Sequence, residues 1–215
     1  MTLADIDLDP HQHFVLEDVS WEFYEHLLEE VADGHTRVTY CDGSLEMMSP
    51  LPKHDRTGFR IGILIALMCV ERDIQYVPGG STTFRDKAKR IGLEPDGCFF
   101  LTNGEAFNQI EGSWDPAVHP APDLAIEIEI TRKAVAKQPI YGKLGIKELW
   151  RYDGKHIHVL LLSESGEYRQ SSTSAAFAFL PMQQFEKFLH RFDKESEVTV
   201  IRDFQKWVRA MPTES

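Results

Sequence analysis

Apolar residues recur at helical spacing between positions 19 and 32, where Trp21, Tyr24, Leu27, Leu28 and Val31 follow Ser20. That spacing predicts an amphipathic helix opening at the serine, with Gly34 just beyond its end. Residues 36–40 and 44–49 then read as two strands around Asp42-Gly43, a strong hairpin turn. Residues 52–73 suit a longer, largely buried helix. Short β-like segments follow at 75–77 and 81–85, separated by Pro-Gly-Gly, and another strand is predicted at 95–101. Residues 102–122 are polar and turn-rich, with Pro116, Pro120 and Pro122, and read as a long surface loop.

The cleanest alternation lies at 124–131. On a pleated strand Leu124, Ile126, Ile128 and Ile130 point one way, and Ala125, Glu127, Glu129 and Thr131 the other. A short helix is predicted over 139–144, ended by Gly145, and then a hairpin of 147–152 with 155–162 around Asp153-Gly154. A strand at 167–171 and helices at 181–191 and 197–209 complete the chain. Strands interrupted by helices imply an α/β or α+β sandwich around a central sheet. No repeat, low-complexity tract or linker divides the 215 residues. One domain is therefore expected over 1–215, with its core at about 20–165 and a helical segment at about 180–210.

Composition narrows the class. The longest apolar run, 61–70, is well short of the ~18–20 residues that cross a bilayer, so a buried segment is expected rather than a membrane span. Residues 1–10 are acidic and carry no secretory pattern, so a cytoplasmic protein is expected. Cys41, Cys69 and Cys98 are widely spaced and flanked by apolar residues, which fits reduced core thiols. The pairs His11/His13 and His156/His158 have no spacing that predicts a closed metal site. A net charge of −11 argues against nucleic-acid binding, which is usually driven by a basic footprint. Its distribution is uneven: Lys53, Arg56 and Arg60 share one stretch, Arg85, Lys87, Lys89 and Arg90 another, and Arg132, Lys133 and Lys137 follow the acids of 127 and 129.

Those acids carry the chemistry. Hard cations that assist phosphodiester cleavage require clustered carboxylate oxygens. Glu127 and Glu129 lie two residues apart, roughly 6.6 Å along a strand, and can face one cation, with Asp96 arriving from a neighbouring strand. Packed without a cation, such carboxylates repel and raise one another's pKa. Lys137 shares a helix face with Tyr141 and Leu144, an inward stripe where an ammonium is unusual. It either snorkels to water or is aimed at the acids, where it would stabilise charge developing on phosphate. Glu46, on the strand 44–49, is a candidate further ligand or outer contact, and a solvated strand glutamate is the alternative. His54 and Asp55 open the long helix, where dipole and capping effects also favour an acid.

The segments Tyr40-Cys-Asp-Gly-Ser-Leu-Glu46-Met-Met-Ser-Pro50 with His54, Gly80-Ser-Thr-Thr-Phe-Arg85, Glu94-Pro-Asp96, Pro122-Asp-Leu-Ala-Ile-Glu127-Ile-Glu129-Ile-Thr131, and Lys137 with Ile140 through Trp150 follow one another in a set order. In that order and spacing they resemble the Uma-two family of restriction endonucleases in the PD-(D/E)XK superfamily. The resemblance spans about residues 21–162 and rests on the ordered set. It implies a mixed central sheet flanked by helices, with Asp96 and Glu127 as ligands of Mg²⁺ or Mn²⁺. Glu129 then stands where the superfamily pattern has lysine, and Lys137 supplies the displaced amine; Glu129 as a third ligand or base stays open. Glu46, His54 and Arg85 are candidate outer contacts to the ligands or the substrate. The implied activity is a metal-dependent endodeoxyribonuclease acting on DNA, and homodimers are common among such enzymes. An inactive nucleic-acid or protein-binding module with the same fold is the alternative, and RNA or branched DNA are alternative substrates.

Overall fold

The computed structural model describes residues 13–32, 36–80, 82–130 and 135–212. In chain order the elements are β1 (His13–Leu16), α1 (Trp21–Glu30), β2 (Arg37–Cys41), β3 (Ser44–Met48), α2 (Pro52–Glu71), β4 (Val77–Pro78), β5 (Phe84–Asp86), β6 (Ile91–Leu93) and β7 (Gly97–Phe100). They continue as α3 (Gly104–Asn108), β8 (Leu124–Ile128), α4 (Lys137–Lys143), β9 (Glu148–Tyr152), β10 (Ile157–Leu162), β11 (Tyr168–Ser171), α5 (Met182–Arg191) and α6 (Glu197–Arg209).

Local chemistry explains most boundaries. The Ser20 hydroxyl accepts from Phe23 N at 3.1 Å and caps α1, as its position before the apolar stripe predicts. Asp42 and Gly43 both adopt positive φ, 49° and 102°, the two left-handed residues that a tight β2–β3 hairpin requires. Pro52 occupies the first turn of α2, where its missing N–H costs no helix bond. Gly145, at φ 80°, ends α4.

The strands form two sheets. One is antiparallel, in the order β1-β3-β2-β6-β5; the other is mixed, in the order β11-β10-β9-β8-β7-β4, with β8 and β9 its parallel pair. Parallel neighbours need a crossover, and α4 supplies it. The helices α2, α5 and α6 pack on the face of the mixed sheet that carries Ile126 and Ile128. The opposite face, carrying Ala125, is covered by α4 and by Phe84, Ile91 and Leu93 of the antiparallel sheet. All five residues of β8 are consequently buried, so the alternation at 124–131 marks two different covers rather than a core face and a wet face. Glu148, also buried, accepts from Trp150 Nε1 at 2.5 Å and from Ala175 N and Ala176 N at 2.8 Å, tying β9 to the segment before α5.

Three differences from the sequence reading have physical causes. β1 and β6 are too short to show a period, and Gly92 interrupts the second of them. The stretch 102–122 contains α3 and is anchored by buried Trp114, whose indole N–H donates to Pro120 O at 2.8 Å. α4 begins two residues before the predicted 139. Gly34, Arg132 and Lys133 lie outside the described residues, as do Thr131 and His11. Among the described residues no helix is long and apolar enough to cross a membrane.

α1 covers the antiparallel sheet through Trp21, Tyr24 and Leu27, packed on Val38, Tyr40, Leu45 and Met47. The Tyr24 ring stacks on Tyr40 at 4.9 Å and meets Trp21 edge-on at 5.1 Å. A β-carbon at position 92 would sit 2.7 Å from Tyr24 Cζ. The ring is pinned on two sides, so Gly92→Ala is expected to destabilise the fold by roughly 1–3 kcal/mol through overpacking. Urea unfolding checks this, and an unchanged midpoint would contradict it.

Candidate active site

The site forms where β7 and β8 diverge. Asp96 directly precedes β7, and its backbone N–H donates to Ile126 O at 3.0 Å. Its side chain, 2% exposed, is held from three directions. Ile128 N donates to Oδ2 at 2.6 Å, Arg37 of β2 pairs with Oδ1, and His54 of α2 lies 3.2 Å from Oδ2. His54 Nε2 also lies 3.0 Å from Ile128 O, and with acceptors on both sides this nitrogen carries the proton. Burial alone would raise the Asp96 pKa, but the His54 hydrogen bond and the Arg37 charge outweigh it and hold the carboxyl well below the usual range. Asp96 therefore stays ionised across the physiological range.

Glu127 sits in β8 on the face turned to α4. Because the crossover helix α4 opens at Lys137, this first residue and Tyr141, one turn on, stand one above the other over that glutamate. Lys137 Nζ lies 2.9 Å from Oε1, and the Tyr141 hydroxyl donates to Oε2 at 2.5 Å. Both side chains of the ion pair are at most 3% exposed. Burial first, and then the charge of Asp96, pushes the Tyr141 hydroxyl well above its ordinary pKa, so it remains a donor. Asp96 in turn is influenced by Lys137, which places the two halves of the site in one electrostatic field.

Glu129 lies one residue past the end of β8, and its carboxylate is 3.4 Å from Arg151 Nε. Burial raises its pKa, with Arg151 and Lys137 offsetting part of the effect. Among the described residues no three His, Cys, Asp or Glu side chains gather as a metal cluster. Glu46 is buried on β3 opposite Thr39, on the strand face away from the α1 core. Arg85 lies elsewhere, lining a hollow of about 440 Å³ with Thr83 and Trp114. Asp55 is half-exposed and 3.4 Å from Arg37.

Sequence reasoning missed Arg37 and the contact that Tyr141 makes. The available signal for Arg37 was alternation: with Val38 and Tyr40 in the α1 core, Arg37 and Thr39 must face the other way. Its partner, 59 residues away, is fixed only by tertiary structure. Glu94 is a further neighbour, accepting from Thr83 Oγ1 at 3.0 Å; burial raises its pKa, and the Thr83 bond and Arg37 counter part of that.

A mixed sheet covered on both faces, with an aspartate at the mouth of one strand and a glutamate–lysine pair at the next, defines an α+β fold of the restriction-endonuclease-like class. The Uma2 family model, described as "Putative restriction endonuclease", matches residues 21–190. The chain belongs to the Uma2 family. No curated protein matches it.

Proposed function

We propose that this chain is a divalent-metal-dependent endonuclease that hydrolyses DNA phosphodiester bonds. The observation that carries the reading is the buried Lys137–Glu127–Tyr141 contact within the field of an ionised Asp96. Enzymes of this class generally use divalent ions, and the donor set fits one: Mg²⁺ binds through one or two carboxylates and keeps several waters, so Asp96 and Glu127 suffice without Glu129. A bound ion supplies Lewis-acid stabilisation of the phosphate and lowers the pKa of water. The chain's own groups do the rest. Asp96 is kept charged by Arg37 and His54, Tyr141 fixes the Glu127 carboxylate, and Lys137 offers a cation to the charge that develops on phosphate. Mg²⁺ or Mn²⁺, DNA as substrate, a homodimer and a cytoplasmic setting belong to this proposal, as does a single nuclease-like domain over 1–215.

One observation favours a second reading, an inactive nucleic-acid or protein-binding module. Arg37 and Lys137 already compensate Asp96 and Glu127, so the network is charge-paired without a cation. Calorimetry separates the two readings. The enzyme is expected to bind Mn²⁺ or Mg²⁺ at millimolar concentration or below, and to lose that binding in Asp96→Asn; absence of binding in the unmutated chain favours the module.

A further inference from the structure

A cavity of about 820 Å³ opens beside Asp96, between α2 and the β4–β7 edge of the mixed sheet. Its α2 wall runs from Asp55 to Ala66, roughly 16 Å at the helical rise. Gly58, Gly62 and Ala66 keep that wall low: a β-carbon at 58 would lie 3.4 Å from Asp96 O, and one at 62 would lie 3.9 Å from Phe99 Cζ. Aromatic rings line the groove. Phe59 stands 70% exposed at its rim, and Tyr76 and Phe99 lie opposite with centroids 6.1 Å apart.

One end of the groove carries charge of both signs: Arg37 is paired there with Asp55 and Asp96, and Arg56, beside them, also borders a second hollow shared with Lys53 and Thr57. Arg60 is engaged by Phe192 O, Asp193 and Glu197. Among the described residues Lys53 and Arg56 have no ion-pair partner, on a chain of net charge −11. Positive charge thus survives where an apolar, ring-lined channel meets the ionised Asp96.

The geometry points to this groove as the seat of an unpaired DNA strand, with bases against Phe59 and Tyr76 and the adjoining phosphates on Arg56 and Lys53. The inference rests on the nuclease reading for the identity of the substrate. A duplex hides its base faces in the stack and presents sugar and phosphate, which an apolar groove cannot solvate. An unpaired strand presents a π-face from every base, and stacking on aromatic side chains beside a basic track holds it without sequence preference. The groove therefore selects single-stranded, frayed or flap DNA over intact duplex.

Fluorescence anisotropy in EDTA, with a labelled 12-nucleotide single strand and its duplex, reads binding apart from cleavage. The single strand is expected to bind at least about tenfold more tightly than the duplex. Phe59→Ala, at an exposed position, is expected to weaken single-strand binding about fivefold or more, the scale of stacking on one ring. Gly62→Leu fills the channel and replaces a helical glycine, so the same loss is expected with a melting temperature that is unchanged or raised. Equal affinity for the two forms, or full single-strand affinity in both variants, overturns the inference. Cleavage that survives loss of Asp96 and Glu127 removes the nuclease reading and leaves these binding ratios to stand by themselves.

Discussion

Lys137→Ala is expected to lower DNA cleavage by at least about 100-fold, the scale seen when a single preorganised donor to developing charge is removed. The same change is expected to destabilise the fold by about 3–5 kcal/mol, because it takes away the ammonium that pairs with the buried Glu127 carboxylate. The two effects come apart in the double variant Glu127→Gln/Lys137→Met, which removes both charges together. Stability should return to within about 1–2 kcal/mol of the starting protein while cleavage stays absent. A double variant as active as the original would show that the pair only holds the fold; a single variant with unchanged stability would show that the ion pair is not buried in solution.

The second large effect concerns Arg37 and acid. The folded pKa of Asp96 is depressed, so its network contributes stability that is fully present above the ordinary aspartate pKa of about 3.9 and is lost as pH falls toward the folded value. Arg37→Leu removes the guanidinium that pairs with Oδ1 and is expected to cost roughly 3 kcal/mol at pH 7. Because the lost term is itself acid-labile, the gap between the two proteins should narrow as pH drops below about 4. Melting temperatures measured from pH 7 to pH 2 check this. Parallel curves, with the gap constant to the lowest pH, would assign the loss to packing of the arginine stem rather than to the charge it places on Asp96.

Sequence pattern made the long elements legible because their stripes are long. α1, α2, α5 and α6 each repeat apolar residues over several turns, and the β2–β3 and β9–β10 hairpins announce themselves through Asp-Gly turns. β1, β6 and α3 span only three to five residues, too few for a period to emerge. At the site, Asp96, Glu127 and Lys137 were legible as acids and an amine in places where burial is unusual for such groups. Which groups touch was not. The partner of Glu127 follows from the crossover helix landing on the face of β8 opposite α2, and that of Asp96 from the antiparallel sheet folding over the same face. Glu129 shows the limit of alternation: its spacing from Glu127 says nothing of Arg151, which the parallel strand β9 brings to within 3.4 Å of it.

Cleavage of plasmid and single-stranded DNA, with Mg²⁺ or Mn²⁺ and with EDTA, tests the central claim most directly when the original chain is run beside Asp96→Asn and Glu127→Gln, both confirmed as folded by circular dichroism. The proposal requires cation-dependent cleavage by the original chain and none above background by either variant. Cleavage by both variants at the original rate, or none by the original chain with either metal, would contradict it.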